Sequence, residues 1–153
     1  MNHDARIPAP FGTLGIRIAG NRLTGIDFLT QDVPLLEPVD PFAREVCNQI
    51  AAYLAQPSFR FDLPLSLSGT PFQMKVWAEI AKIPSGRTLR YGDISKYLHS
   101  SPRAVGQACG SNPIPLVIPC HRVVSAAGMG GFMHSGKGHP LAVKRWLIAH
   151  ESH

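Results

Sequence analysis

The chain predicts a mixed α/β fold of the α+β kind. A small antiparallel sheet-plus-helix unit over residues 1–66 is followed by a mainly helical unit over residues 67–153. Three observations predict it. Thr13–Ala19 and Arg22–Leu29 alternate apolar and polar residues around Gly20-Asn21, a hairpin signal. From Pro41 onward the apolar residues recur at helical spacing instead. A break at Ser68-Gly69 then separates two stretches of opposite charge. Residues 1–66 carry five Lys/Arg against seven acids, a net of −2, and residues 67–153 carry ten against three, a net of +7.

The first unit follows in order. The two strands of the hairpin lead into Gln31–Pro41, a polar connection containing proline. Phe42, Val46, Ile50, Tyr53 and Leu54 make Pro41–Leu54 a helix with one apolar face, and Cys47 borders that face as a packing residue. Phe61–Leu67 reads as a further strand. Nothing in this half groups residues for catalysis.

The second unit opens on Thr70-Pro71-Phe72-Gln73, which is Thr at N-cap, Pro at N1 and Gln at N3 of a capping box. Phe72, Val76, Trp77 and Ile80 form a core stripe, and Ile83-Pro84-Ser85-Gly86 ends the helix. Tyr91-Gly92 leads into a short helix, Asp93–Leu98. His99-Ser100 turns the chain, and Ser101-Pro102 caps a second helix running to Gly110. Two short helices across a tight turn fit a helix-turn-helix, with Arg103 in the first turn of the groove-entering helix. Pro115-Leu116-Val117-Ile118 reads as a short buried strand carrying Cys120 at its end. Glycines 128, 130, 131, 136 and 138 follow, a loop that can approach a ligand closely. The last helix starts near Pro140, with Leu141, Trp146 and Leu147 inward, and closes on Ala149-His150-Glu151.

Bulk properties narrow the function classes. A chain of 153 residues with 44% hydrophobic residues is a globular domain or two small ones. No apolar run reaches the ~20 residues of a membrane span, and no apolar signal core opens the chain. Three cysteines argue against a disulfide framework and for a reducing, cytoplasmic setting. The basic half fits a polyanionic partner.

Cys120 with His121 beside it is the strongest chemical signal. A free thiol ionises only slightly at neutral pH, so a nucleophilic cysteine needs a base. His121 takes that part through a bridging water, because adjacent side chains point apart. A carboxylate would fix the imidazole's tautomer, and Glu151 is the choice among the three acids of this half. Asn112, ahead of Pro113, can tie the cysteine turn to the preceding helix. Taken singly, Cys120 reads as an inert buried thiol and Glu151 as a frayed terminal charge.

Together these residues make a pattern. Arg103-Ala104-Val105-Gly106, Asn112-Pro113, Pro115 and Ile118-Pro119-Cys120-His121-Arg122-Val123 closely resemble the O6-alkylguanine-DNA alkyltransferases, also called methylated-DNA–protein-cysteine methyltransferases. Arg87–Gly92 and Leu147–Glu151 resemble segments of the same family. The resemblance covers the whole basic half and matches the variable N-terminal half in outline. It implies a ribonuclease H-like first domain and a winged helix-turn-helix second domain. It implies direct repair of double-stranded DNA carrying O6-alkylguanine, and of O4-alkylthymine in some cases. The protein would be a monomer without cofactor that spends itself in one event.

The roles implied are residue by residue. Cys120 takes the alkyl group as a thioether, deprotonated by His121 through water with Glu151 behind. Asn112 matches the hinge asparagine. Tyr91 matches the tyrosine that helps rotate the nucleotide and gives the leaving guanine a proton. Arg103 matches the arginine that fills the vacated place in the duplex, with Ser101 and Ala104 beside it on the DNA-contacting helix. The carbonyls of Cys120 and Val123 would read the guanine edge, and Pro115, Gly131 and Phe132 would wall its pocket. Gly110-Ser111 stand where relatives often carry a basic residue, and Phe132–Leu141 is longer than the usual loop.

Three further expectations follow. Cys47 is the single cysteine of the first half, which excludes a structural zinc site there, and His134, His139, His150 and His153 lie in a loop and a terminus, so no metal is expected. A binding-only relative that flags alkylated bases would lack the reactive cysteine, and Cys120 is present. A Cys-His-Asn hydrolase would take its partners from distant positions, whereas Cys120 and His121 are adjacent.

Overall fold

The structure, a computed structural model, describes residues 2–133 and 139–152. It is a mixed α/β protein with one small antiparallel sheet and five described α-helices. Its contacts divide it into two compact units, Met1–Leu67 and Ser68–His153.

The first unit is a three-stranded antiparallel meander, β1 (Ala5–Ala9), β2 (Gly12–Ala19) and β3 (Arg22–Leu29), followed by α1 (Pro41–Ala55). Gly20 turns the β2–β3 hairpin at φ +59°. β1 was not foreseen from the sequence because Pro8 breaks the strand pattern. It lies at the sheet edge, where a missing N–H costs no ladder bond. α1 starts at Asp40, whose carboxylate accepts from the amides of Phe42 and Ala43 at 2.7 and 3.3 Å. Val46, Ile50 and Tyr53 of α1 and Leu14, Ile16, Leu23 and Ile26 of the sheet form the core of this unit. Phe61–Leu67 is not a strand. Pro64 interrupts it, and only Leu65 bridges to Leu23.

The second unit opens with α2 (Pro71–Ile80) and its reciprocal capping box. Thr70 Oγ1 accepts from the Gln73 amide at 3.1 Å, and Gln73 Oε1 accepts from the Thr70 amide at 2.9 Å. Buried Trp77 donates through Nε1 to the Ala108 carbonyl at 2.9 Å, which joins α2 to the helix that carries Ala108. β4 (Leu89–Arg90) feeds directly into α3 (Tyr91–Tyr97), two residues earlier than the sequence predicts. α3 ends in a Schellman arrangement: the Ser100 amide donates to the Ser95 carbonyl and the His99 amide to that of Lys96. His99 takes φ +55°, where glycine is usual. α4 (Pro102–Gly110) follows and packs on α3 and α2.

Pro115–Ile118 is not a strand either. It forms a turn closed by a Pro115–Ile118 bridge, with Leu116 at φ +80°. Cys120 therefore sits at the start of a single 3-10 turn, Cys120–Arg122, and not at a strand end. β5 (Val123–Val124) pairs in parallel with β4. α5 (His139–Glu151) buries Val143, Lys144, Leu147 and Glu151. Trp146 is half-buried and stacks on His150, ring centroids 4.6 Å apart, so the helix is rotated from the face expected for Leu141 and Trp146.

Candidate active site

The cysteine turn is held by one side chain. Asn112 is buried just after α4. Its Nδ2 donates to the Ile118 carbonyl at 2.8 Å and to Cys120 Sγ at 3.1 Å, and its Oδ1 accepts from the Ile114 amide at 2.9 Å. Only an amide supplies two donors and an acceptor in that fork. Leu116 occupies a backbone region that costs an ordinary residue roughly 1–2 kcal/mol, and it is buried together with Ile114 and Ile118. Burial of these three side chains offsets that strain, so the turn presents Cys120 in one position.

Behind the cysteine lies a buried charge relay. His121 is fully buried, and its Nε2 stands 2.8 Å from Glu151 Oε2. Arg122 clamps the same carboxylate from the other side, Nε to Oε1 and Nη2 to Oε2 at 2.9 Å each. Its Nη1 donates to the Ile83 carbonyl at 2.6 Å. Burial holds the His121 pKa below its ordinary value, against the opposing pull of Glu151. A neutral ring that donates through Nε2 keeps a lone pair on Nδ1. That atom is buried with no partner among the described residues, which makes it the basic position of the site.

A cavity of about 460 Å³ opens onto Cys120. Tyr91, Arg103, Cys109, Gly131 and Phe132 are among the residues that line it. Tyr91, the first residue of α3, donates its hydroxyl to the Gly131 carbonyl at 3.4 Å, and burial pushes its pKa up to about 12. Gly130, at φ +76°, lies under the Tyr91 ring; a Cβ there would stand 2.9 Å from it. Burial raises the Cys120 thiol well above its ordinary pKa, and the neighbouring Cys109 thiol raises it further. The Asn112 amide and the charge of Lys144 act in the opposite direction.

The expected site residues fall in three places. Asn112 bonds the Cys120 thiol, Tyr91 shares its cavity, and Glu151 pairs with His121, the residue next to the cysteine. Arg103 is exposed in the first turn of α4, where Ser101 caps the helix by accepting from the Ala104 amide at 3.1 Å. Gly131 and Phe132 line the cavity, whereas Pro115 and Val123 are buried and do not line it. Of the histidines weighed as ligands, His134 and His153 lie outside the described residues.

Three site residues escaped the sequence reading. Lys144 is fully buried, with Nζ donating to the carbonyls of Val123 at 2.7 Å and Gly131 at 2.8 Å. It stands 5.7 Å from the Tyr91 ring centroid, and burial brings its pKa down to about 8. Its place in the apolar stripe with Leu147 and Glu151 was the available signal, since a lysine there has to be paired. Arg122 had no signal beyond its motif. Cys109 had none at all.

Comparison with known proteins gives this arrangement its class. Residues 71–153 match the family model described as the DNA-binding domain of 6-O-methylguanine DNA methyltransferase. The methylated-DNA–protein-cysteine methyltransferase of Mycobacterium tuberculosis is 39% identical, over 84% of this chain and 81% of that one. The constitutive enzyme of that name from Bacillus subtilis is 35% identical, over 97% of this chain and 94% of that one. A crystal structure of Mycobacterium tuberculosis OGT in complex with DNA superposes with a TM-score of 0.79 at 37% identity, covering 96% of this chain and 91% of that one. The O6-methylguanine methyltransferase of the same organism gives 0.78 at 33% identity, over 96% of this chain and 90% of that one. The chain belongs to the methylated-DNA–protein-cysteine methyltransferase family.

Proposed function

We propose that this protein repairs DNA directly, moving the alkyl group of O6-alkylguanine onto Cys120 Sγ once per chain. The observation that carries the reading is the placement of Cys120. Its sulfur is held by Asn112 at the cavity, with His121 and Glu151 paired behind it. The resulting thioether has no hydrolysable bond, so the chain stops after one event. Its family relatives carry the activity in their names, and the reactive cysteine is present, which disfavours a binding-only role.

The chemistry follows from the residues. His121 Nδ1 accepts the thiol proton through a bridging water, and Glu151 and Arg122 hold the ring in the tautomer that allows it. Sulfur attacks the alkyl carbon in line with the C–O6 bond. The S–C bond forms as the C–O6 bond breaks, and the bonding electrons leave on the guanine. Tyr91, a protonated phenol at neutral pH, supplies the proton that neutralises the base and takes one back from water.

The thiol is buried, so the damaged nucleotide has to leave the stack to reach it. In this reading α3 and α4 are the helix-turn-helix of a winged domain, α4 docks in the minor groove, and Arg103 takes the vacated place. Arg87, Arg90, Lys96 and Arg103 are exposed along this segment, as phosphate binding requires. The first unit takes the ribonuclease H-like part, and O4-alkylthymine is a second substrate. The test is repair with O6-methylguanine duplex in large excess over protein. The methyl groups removed should plateau at one per chain, and continued turnover would overturn the reading.

A further inference from the structure

Cys109 has no part in the chemistry above, yet it is a second buried free thiol on the cavity that holds Cys120, near enough to raise the Cys120 pKa. Both line the cavity, so a small oxidant that enters it meets two thiols together. Asn112 fixes the pair from both sides. Its backbone amide donates to the Cys109 carbonyl at 3.2 Å, and its side chain donates to Cys120 Sγ at 3.1 Å. Upstream, the Trp77 bond to the Ala108 carbonyl anchors the end of α4 that carries Cys109.

We infer that Cys109 and Cys120 are a redox pair that closes to a reversible disulfide in the presence of a peroxide, with Cys109 as the resolving thiol. The Cys120 sulfur attacks a peroxide oxygen. The S–O bond forms, the O–O bond breaks, and the thiol proton leaves with the departing oxygen as water or an alcohol. The Cys109 sulfur then attacks the sulfenic sulfur, the S–S bond forms, and the S–O oxygen leaves as water with the Cys109 proton. Two thiols and one peroxide thus give one disulfide, and the peroxide receives both electrons. The two sulfurs have to close to the bond length of about 2 Å, and they do so across a cavity that both already line. The disulfide keeps Cys120 off the irreversible sulfinic and sulfonic steps, and a reductant returns it. The pairing stands on the shared cavity and on the Asn112 bonds to both residues; its consequence for repair rests on Cys120 being the alkyl acceptor.

Trypsin leaves both cysteines in one peptide, Ala104–Arg122. The full chain is treated with hydrogen peroxide, quenched, and alkylated in denaturant. The peptide should be lighter by two hydrogens and carry no cap, and dithiothreitol should restore two cappable thiols. Under prolonged excess peroxide, Cys109→Ser and Cys109→Ala should accumulate sulfinic and sulfonic acid on Cys120 that dithiothreitol does not recover, while the unaltered chain stays recoverable. Each variant is compared with its own reduced, folded sample. Two caps on the peroxide-treated peptide, or variants that recover as fully as the unaltered chain, would overturn the pair. The readout is mass, so a failure of methyl transfer in the reduced chain would count against the proposed function and leave this result standing.

Discussion

His121 Nε2 and Glu151 Oε2 stand 2.8 Å apart in the core although 30 positions separate them in the chain. The end of α5 is thereby fixed against the 3-10 turn that carries the cysteine, and Arg122 holds the same carboxylate. Glu151→Gln removes the charge that makes His121 a useful base. Single-turnover methyl transfer should slow, by up to about 10²–10⁴-fold, the range for a lost acid–base contribution. The double variant with His121→Ala should be no slower than His121→Ala alone, because the residues act as one unit. Additive losses would mean that Glu151 acts only through the fold.

The pH profile separates a relay from free ionisation. His121 has its pKa below the usual value, so it is in its basic form at neutral pH. Burial raises the Cys120 thiol, so the rate should be flat through neutral pH and fall on the acid side. Without the relay, in His121→Ala, the rate should climb about tenfold per pH unit as thiolate forms. The same depressed pKa links to stability. His121's contribution is fully present above about pH 6.5, the unfolded value, and is lost as pH falls towards the folded value. Chemical denaturation at a series of pH values measures that loss.

Lys144→Met takes the lysine donor from the Val123 carbonyl and leaves the Gly131 carbonyl with only the long bond from the Tyr91 hydroxyl. A buried carbonyl that loses its donor costs about 1–3 kcal/mol, so thermal and denaturant midpoints should drop. The Gly131 side of the cavity should also lose its anchor, and transfer should slow even at temperatures where the variant is fully folded. An unchanged rate in the folded variant would limit Lys144 to stability.

Arg103→Ala tests the base-replacement role. The side chain is exposed on α4 and lines the cavity mouth. Repair in duplex DNA should slow more than reaction with O6-benzylguanine as a free base, because only the duplex has a stack to fill. Equal losses on both substrates would remove that role. Binding of the unaltered chain to duplex should weaken steeply with salt and depend little on sequence.

Much of this was legible in the sequence where a local rule governs. The Thr70–Gln73 capping box, the Gly20-Asn21 hairpin and the Ser101 cap each rest on neighbouring residues, and each formed where expected. Segments whose shape depends on distant partners were misread. Leu116 adopts a left-handed turn because Asn112 ties both its flanks, although its apolar neighbours look like a strand. Pro8 sits in a strand because β1 is an edge. Within the site, motif residues were readable, and Glu151 followed from the scarcity of acids in the second half. Cys109 was missed because tertiary packing, and not spacing along the chain, brings it to the cavity; Lys144 had only its place on the buried face of the last helix, and Arg122 only its motif.

The most direct measurement is the mass of the tryptic peptide Ala104–Arg122 after the reduced chain meets duplex DNA containing O6-methylguanine. Alkyl transfer to Cys120 predicts a gain of one methyl group in place of one hydrogen, placed on Cys120 by fragmentation and complete after one event per chain. Cys120→Ala should show no gain while retaining much of its duplex binding. A methyl group on Cys109 or Cys47, or repair with no mass gain on the protein, would contradict it.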